Sequence, residues 1–158
     1  MSTGNRQRLL VMSHSDEVRH ELVTLLSGYG YFVEEGENRQ RGVRKFREHK
    51  QPIVILDIPM LRMFPKRLFS FFNKVRKNTI VLVAAHKREE DVAFRHLRNL
   101  GAYDVLNLPL STEFLKSTLN RAFTYHRMMI EGVFIKNAVF FGLLMLPIWA
   151  ALAYVLVK

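Results

Sequence analysis

Five short apolar runs, each closed by polar or glycine-containing turns, punctuate the N-terminal two thirds of the chain: Arg8 to Met12 (RLLVM), Tyr31 to Glu34, Pro52 to Leu56 (PIVIL), Thr79 to Ala84 (TIVLVA) and Tyr103 to Leu106. Apolar runs without an alternating polar position are the pattern of strands covered on both faces, as in a parallel sheet. Between them the period changes to that of a helix. Val18, Leu22, Leu25 and Leu26 make one stripe behind Ser15, an N-cap residue followed by acidic Asp16 and Glu17, and Gly28 and Gly30 end that helix. A basic helix is predicted from about Gln40 to Lys50, with Val43 and Phe46 inward. Another starts at Pro65 and carries Leu68, Phe69, Phe72 and Val75. Glu89 to Leu100 is predicted helical, stopping at Gly101, a residue suited to a left-handed C-terminal cap. Ser111 caps a last helix, whose stripe runs through Leu115, Leu119, Ala122, Met129 and Val133. Five strands alternating with five helices predict an α/β fold with a doubly wound five-stranded parallel sheet.

The pattern then changes kind. Residues 137–157, NAVFFGLLMLPIWAALAYVLV, form an uncharged run followed only by Lys158. At about 1.5 Å per residue a helix of that length spans ~31 Å, matching the hydrocarbon core of a bilayer. A soluble core helix this long would keep a polar face, whereas here the polar side chains are Asn137, Trp149 and Tyr154 alone. Pro147, mid-span, is compatible with a kinked membrane helix. The N-terminus lacks the apolar stretch of a secretory signal, so the chain reads as tail-anchored. Its organisation is a tail at 1–7, one domain at 8–128, a helical connector at 129–136 and a transmembrane helix at 137–157. No proline interrupts the stretch from Glu113 to Asn137, so the last helix of the domain is able to enter the membrane as one rod, although Met128 to Gly132 leaves room for a bend.

Charge sets the orientation. The chain carries 24 Lys and Arg against 14 Asp and Glu, for a net charge of +10. Lys158 is the only charge beyond the uncharged run, whereas Arg121, Arg127 and Lys136 precede it, so the positive-inside bias places the domain in the cytoplasm, and a bacterial inner membrane is the expected setting. The absence of cysteine excludes disulfides and thiolate metal sites, and the histidines show no His-x-x-His spacing, so no metal is expected. The basic excess is concentrated in two segments: Arg39, Arg41, Arg44, Lys45, Arg47 and Lys50, then Arg62, Lys66, Arg67, Lys74, Arg76 and Lys77. Such a face attracts an acidic protein or anionic lipid headgroups. Nucleic acid is disfavoured, because no recognition-helix motif or aromatic stacking platform accompanies the charge.

From about residue 8 to 128 the chain resembles a response-regulator receiver domain, the flavodoxin-like sandwich that accepts a phosphoryl group on aspartate. The stretches that carry the resemblance are LLVMSHSDEVRHEL, IVILDIPM and IVLVAAHKREEDVAFRHLRNLGAYDVLNLPL; within the last, Gly101 to Pro109 is similar to the family's G-A-x-D-Y-L-x-K-P. The resemblance implies that Asp57 is the phosphoacceptor position and that the Leu108–Pro109 bond is cis. It also implies that Ser13 and His14 stand where the family has its magnesium-binding acidic pair. Ala84 replaces the hydroxyl residue that contacts the phosphoryl group, Leu108 replaces the lysine, and Val105 replaces the switch aromatic. Magnesium favours hard oxygen ligands, and phosphoryl transfer depends on neutralising the transferred oxygens, so these departures imply a degenerate site.

The reading that follows is a non-catalytic, membrane-anchored pseudo-receiver with no cofactor. Its role is that of a protein-interaction, accessory or assembly subunit of a membrane complex. Two alternatives stay open: a signalling receiver phosphorylated on Asp57, and a small-molecule sensor using the crevice at the strand ends.

Overall fold

The computed structural model describes residues 7–62, 64–86 and 96–132. Five strands, β1 (Arg8–Met12), β2 (Phe32–Gly36), β3 (Ile53–Asp57), β4 (Ile80–His86) and β5 (Asp104–Leu108), form one parallel sheet in the order β2-β1-β3-β4-β5. Helices α1 (Asp16–Gly28), α2 (Arg39–His49), α3 (Ile58–Leu61) and α4 (Pro65–Val75) connect the first four strands, and residues 96–99 and 112–132 are also helical. This is the five-stranded doubly wound fold that the apolar runs predict.

Side chains alternate across each strand, so one sheet feeds two cores. Leu9, Val11, Ile53, Ile55 and Leu82 pack against Val18, Leu22 and Leu26 of α1 and against Leu115, Leu119 and Ala122 of the last helix. Leu10, Met12, Val54, Leu56 and Val83 face the opposite way, toward Phe46 of α2 and Leu68, Phe69 and Phe72 of α4. Every residue of β3 is buried, which is why its sequence shows no polar alternation.

The strand ends differ from the sequence reading in one direction. β2 runs on to Gly36, β4 to His86 and β5 to Leu108, each beyond the predicted end. Polar residues such as Glu35 and Asn107 interrupt the apolar signal there, but parallel pairing continues through them. Helix α3 is an addition, and residues 89–95 of the predicted helix 89–100 lie outside the described residues.

One close approach fixes α2 on the sheet. A Cβ at Gly36 would lie 2.7 Å from the Cα of Gly42, and a Cβ at Gly42 would lie 2.6 Å from the sulfur of buried Met12. Only hydrogen fits at both positions, and through Met12 this contact borders the loop that follows β1.

Residues up to His126 form one compact unit, two residues short of the predicted domain end, and a second unit starts at Arg127. The predicted span 137–157 and residues 133–136 of the connector lie outside the described residues; among the described residues no helix is long and apolar enough to cross a membrane.

Candidate functional site

Asp57 ends β3 at the centre of the sheet's carboxyl edge, in register with Ala84 of β4, and its side chain is buried. Oδ2 accepts the hydroxyl of Ser13 at 2.5 Å and the backbone N–H of His14 at 2.9 Å, while Oδ1 accepts the backbone N–H of Met60 at 2.9 Å. The third bond makes Asp57 the N-cap of α3, with a proline in the first turn. One carboxylate therefore ties the β1–α1 loop to the start of α3 through donors the chain itself supplies.

Ser13 is fully buried, and its single hydroxyl proton goes to Asp57 while its oxygen accepts the N–H of Ser15 at 3.1 Å. His14 contributes its backbone, and the residue is exposed. Arg19, one turn into α1, closes the loop from the other side by donating to the Ser13 carbonyl at 2.9 Å while pairing with Asp16 and, at 3.3 Å, with Glu35. Magnesium, which the receiver fold implies, needs several hard oxygen ligands. The residues present do not fit it: Ser13 and Asp57 satisfy each other, and His14 brings an imidazole in place of a carboxylate.

The other positions named from the sequence are apolar in fact as well as in type. Ala84 and Leu108 are buried in the α1 side of the core and Val105 in the α2–α4 side, and the Leu108–Pro109 bond is cis. The structure thus gathers Asp57, Ser13, His14 and Ala84 at one edge, and the β4 and β5 positions named from the sequence, Ala84, Val105 and Leu108, bring no side-chain donor to it.

Helices α2 and α4 lie side by side, with Phe46 against Phe72 at 4.7 Å and against Phe71 at 6.0 Å between ring centres. Arg44, Lys45, Arg47, Lys66, Arg67 and Lys74 stand on these helices, with Arg47 over the Phe71 ring and Arg67 over the exposed Phe64 ring. Arg41 pairs with Glu37 at 2.6 Å, Arg39 donates to the Phe64 carbonyl at 3.2 Å, and Arg62 and Lys77 are exposed beyond the helix ends. Arg76 does not join this outward face. It is half-buried at the amino edge of the sheet, donating to the Lys50 carbonyl and facing Nε2 of His126 at 3.1 Å. Nδ1 of His126 is 2.8 Å from the Asn78 carbonyl, which only accepts, so Nδ1 carries the proton and Nε2 accepts from Arg76. Burial holds both Arg76 and His126 below their ordinary pKa values, and for His126 the Arg76 charge adds to that.

Sequence reasoning overlooked α3, Arg19 and the Arg76–His126 pair. An aspartate followed two residues later by proline, Asp57-Ile58-Pro59, is a legible helix start. The other two are contacts between distant segments and leave no local signal.

No family model matches the chain. It is similar to the transcriptional regulatory protein ZraR of Klebsiella oxytoca, 29% identical over 143 residues that make up 89% of this chain and 32% of that protein. It is similar also to protein PilH of Pseudomonas aeruginosa, 26% identical over 116 residues that make up 72% of this chain and 94% of that protein. The chain therefore spans about a third of the length of the first relative. Among solved structures, a response regulator receiver domain protein from Clostridium thermocellum superposes with a TM-score of 0.67 at 20% identity, over 77% of this chain and 98% of that one. The chain has the receiver fold.

Proposed function

We propose that this chain is a non-catalytic pseudo-receiver, held in the bacterial inner membrane by residues 137–157 with its receiver-fold domain in the cytoplasm, and that it works as an interaction, accessory or assembly subunit of a membrane complex. The observation that carries the reading is that both oxygens of Asp57 are engaged by donors of the chain itself. An acceptor aspartate must present an oxygen lone pair to an incoming phosphorus while cations neutralise the transferred oxygens. Here both oxygens accept hydrogen bonds from Ser13, His14 and Met60, and neither Ala84, in register with Asp57, nor Leu108 at the end of β5 brings a donor. The anchor rests on the uncharged run 137–157 and the orientation on the bias of Lys and Arg toward its N-terminal side. The basic surface of α2 and α4 suits an acidic partner.

Incubating the full chain in mild detergent with acetyl phosphate and magnesium tests the reading. No acyl phosphate is expected on Asp57. A stable aspartyl phosphate there would replace it with the second reading, a phosphorylated signalling receiver, which the likeness to ZraR and PilH favours.

A further inference from the structure

The two edges of the sheet expose different chemistry. At the carboxyl edge exposed acids and cations are mixed, Asp16, Glu17, Glu35 and Glu37 with Arg41, Arg62, Lys66 and Arg67. At the amino edge, Arg8 stacks over the exposed Phe32 ring at 5.3 Å, Lys50 and Lys77 project from the turns after α2 and α4, and Tyr125 is 44% exposed beside Tyr103. Of the acids near this edge, Asp104 is paired with Arg121 at 3.4 Å and Glu48 sits in the last turn of α2. Aromatic rings flanked by Lys and Arg are the composition of a surface that meets lipid headgroups, the rings sitting at headgroup level and the cations drawn to anionic lipid.

The last helix of the domain ends at the same edge. The last helix leaves the sheet there at His126, eleven residues before the uncharged run begins at Asn137. The carboxyl edge is farther from that exit by the length of residues 112–126, about 22 Å at 1.5 Å per residue.

We propose that the amino edge of the sheet, through Arg8, Phe32, Lys50, Lys77 and Tyr125, seats the domain on the headgroups of an anionic bilayer. This rests on the membrane-anchor reading. The seat leaves the carboxyl edge and Asp57 turned toward the cytoplasm. Each cation at a membrane surface shifts the seated-to-lifted ratio by a factor of about five, so the three cations shift it by roughly a hundredfold.

The chain has no cysteine, so single cysteines report cleanly. The full chain is placed in nanodiscs of either phosphatidylcholine alone or an equal mixture with phosphatidylglycerol, and labelled with a charged maleimide at Gln7→Cys (amino edge) or Glu17→Cys (carboxyl edge). Labelling of Gln7→Cys is expected to slow at least about fivefold in the anionic discs while Glu17→Cys is unchanged, and Arg8→Gln with Lys50→Gln and Lys77→Gln should restore the fast rate. Equal rates for Gln7→Cys in both discs overturn the seat alone and leave this edge to an acidic protein. Failure of the chain to enter either disc overturns the anchor and the seat together.

Discussion

At the carboxyl edge three donors converge on one carboxylate, whereas at the amino edge a guanidinium and an imidazole meet with no acid between them. The first arrangement is closed. Asp57 serves as a cap and a loop anchor, and its partners are two backbone amides and a hydroxyl whose geometry the fold fixes. The second arrangement depends on proton state, because Arg76 keeps its charge and His126 accepts from it only when neutral. The edge that resembles a reaction centre is thus the one organised as structure, while the edge without a motif carries the titratable contact.

The largest effect is expected from opening the closed edge. Asp57→Ala leaves the Ser13 hydroxyl and the His14 and Met60 amides without their acceptor, at about 1–3 kcal/mol each, so a loss of roughly 3–9 kcal/mol should lower Tm by about 10 °C or more. Asp57→Asn keeps one acceptor oxygen but turns an NH2 group toward one set of donors, and should cost only about 1–3 kcal/mol. Thermal unfolding of the full chain measures both. An alanine variant as stable as the parent would show that the carboxylate does not organise this edge, and would return Asp57 to consideration as a free acceptor.

Gly42→Ala approaches the same edge from below. The new Cβ drives into Met12, which is fully buried and precedes Ser13, with the backbone of Gly36 on the other side. Overpacking of this kind costs about 1–3 kcal/mol. Met12→Ala made together with Gly42→Ala opens room for the methyl, so the pair should be less destabilised than the sum of the two single variants by more than about 0.5 kcal/mol. Strict additivity in denaturant titrations would mean that α2 yields without involving Met12.

These two edges also separate what the sequence encodes locally from what it does not. The β3 run PIVIL is uniformly apolar because both of its faces are covered, and Asp57 at its end could be located from that run alone. The extension of β2 to Gly36 was less legible, since an edge strand holding a buried Glu34 beside an exposed Glu35 does not look apolar. Helix caps at Ser15 and Asn38 are local and readable, and so in principle was Asp57 before Pro59. Arg19 to Glu35 and Arg76 to His126 are pairs 16 and 50 residues apart, and no periodicity marks them. Composition therefore groups Arg76 with the outward cations, although its environment is the sheet edge.

The smallest effect, and the one that isolates the amino edge, is a pH dependence. His126 has its pKa lowered by burial first and by the Arg76 charge as well, with the hydrogen bond to the Asn78 carbonyl opposing in part. In the unfolded chain the imidazole titrates near 6.5. Below that value the unfolded chain takes up a proton that the folded one resists. The contribution of His126 is therefore intact above pH 6.5 and is lost as pH falls from there toward the depressed folded value, with a slope of at most about 1.4 kcal/mol per pH unit. His126→Gln removes the titrating group while keeping an amide able to donate to Asn78. The difference in stability between the parent chain and this variant should be constant from pH 8 to 7 and should move in favour of the variant between pH 6.5 and 5.5. The carboxyl edge supplies the control, because Ser13→Ala removes a neutral donor and should shift stability by the same amount at every pH in that range. If the His126→Gln difference is equally flat, the imidazole and guanidinium are not coupled as the 3.1 Å contact implies, and the contrast between the two edges reduces to one of exposed charge.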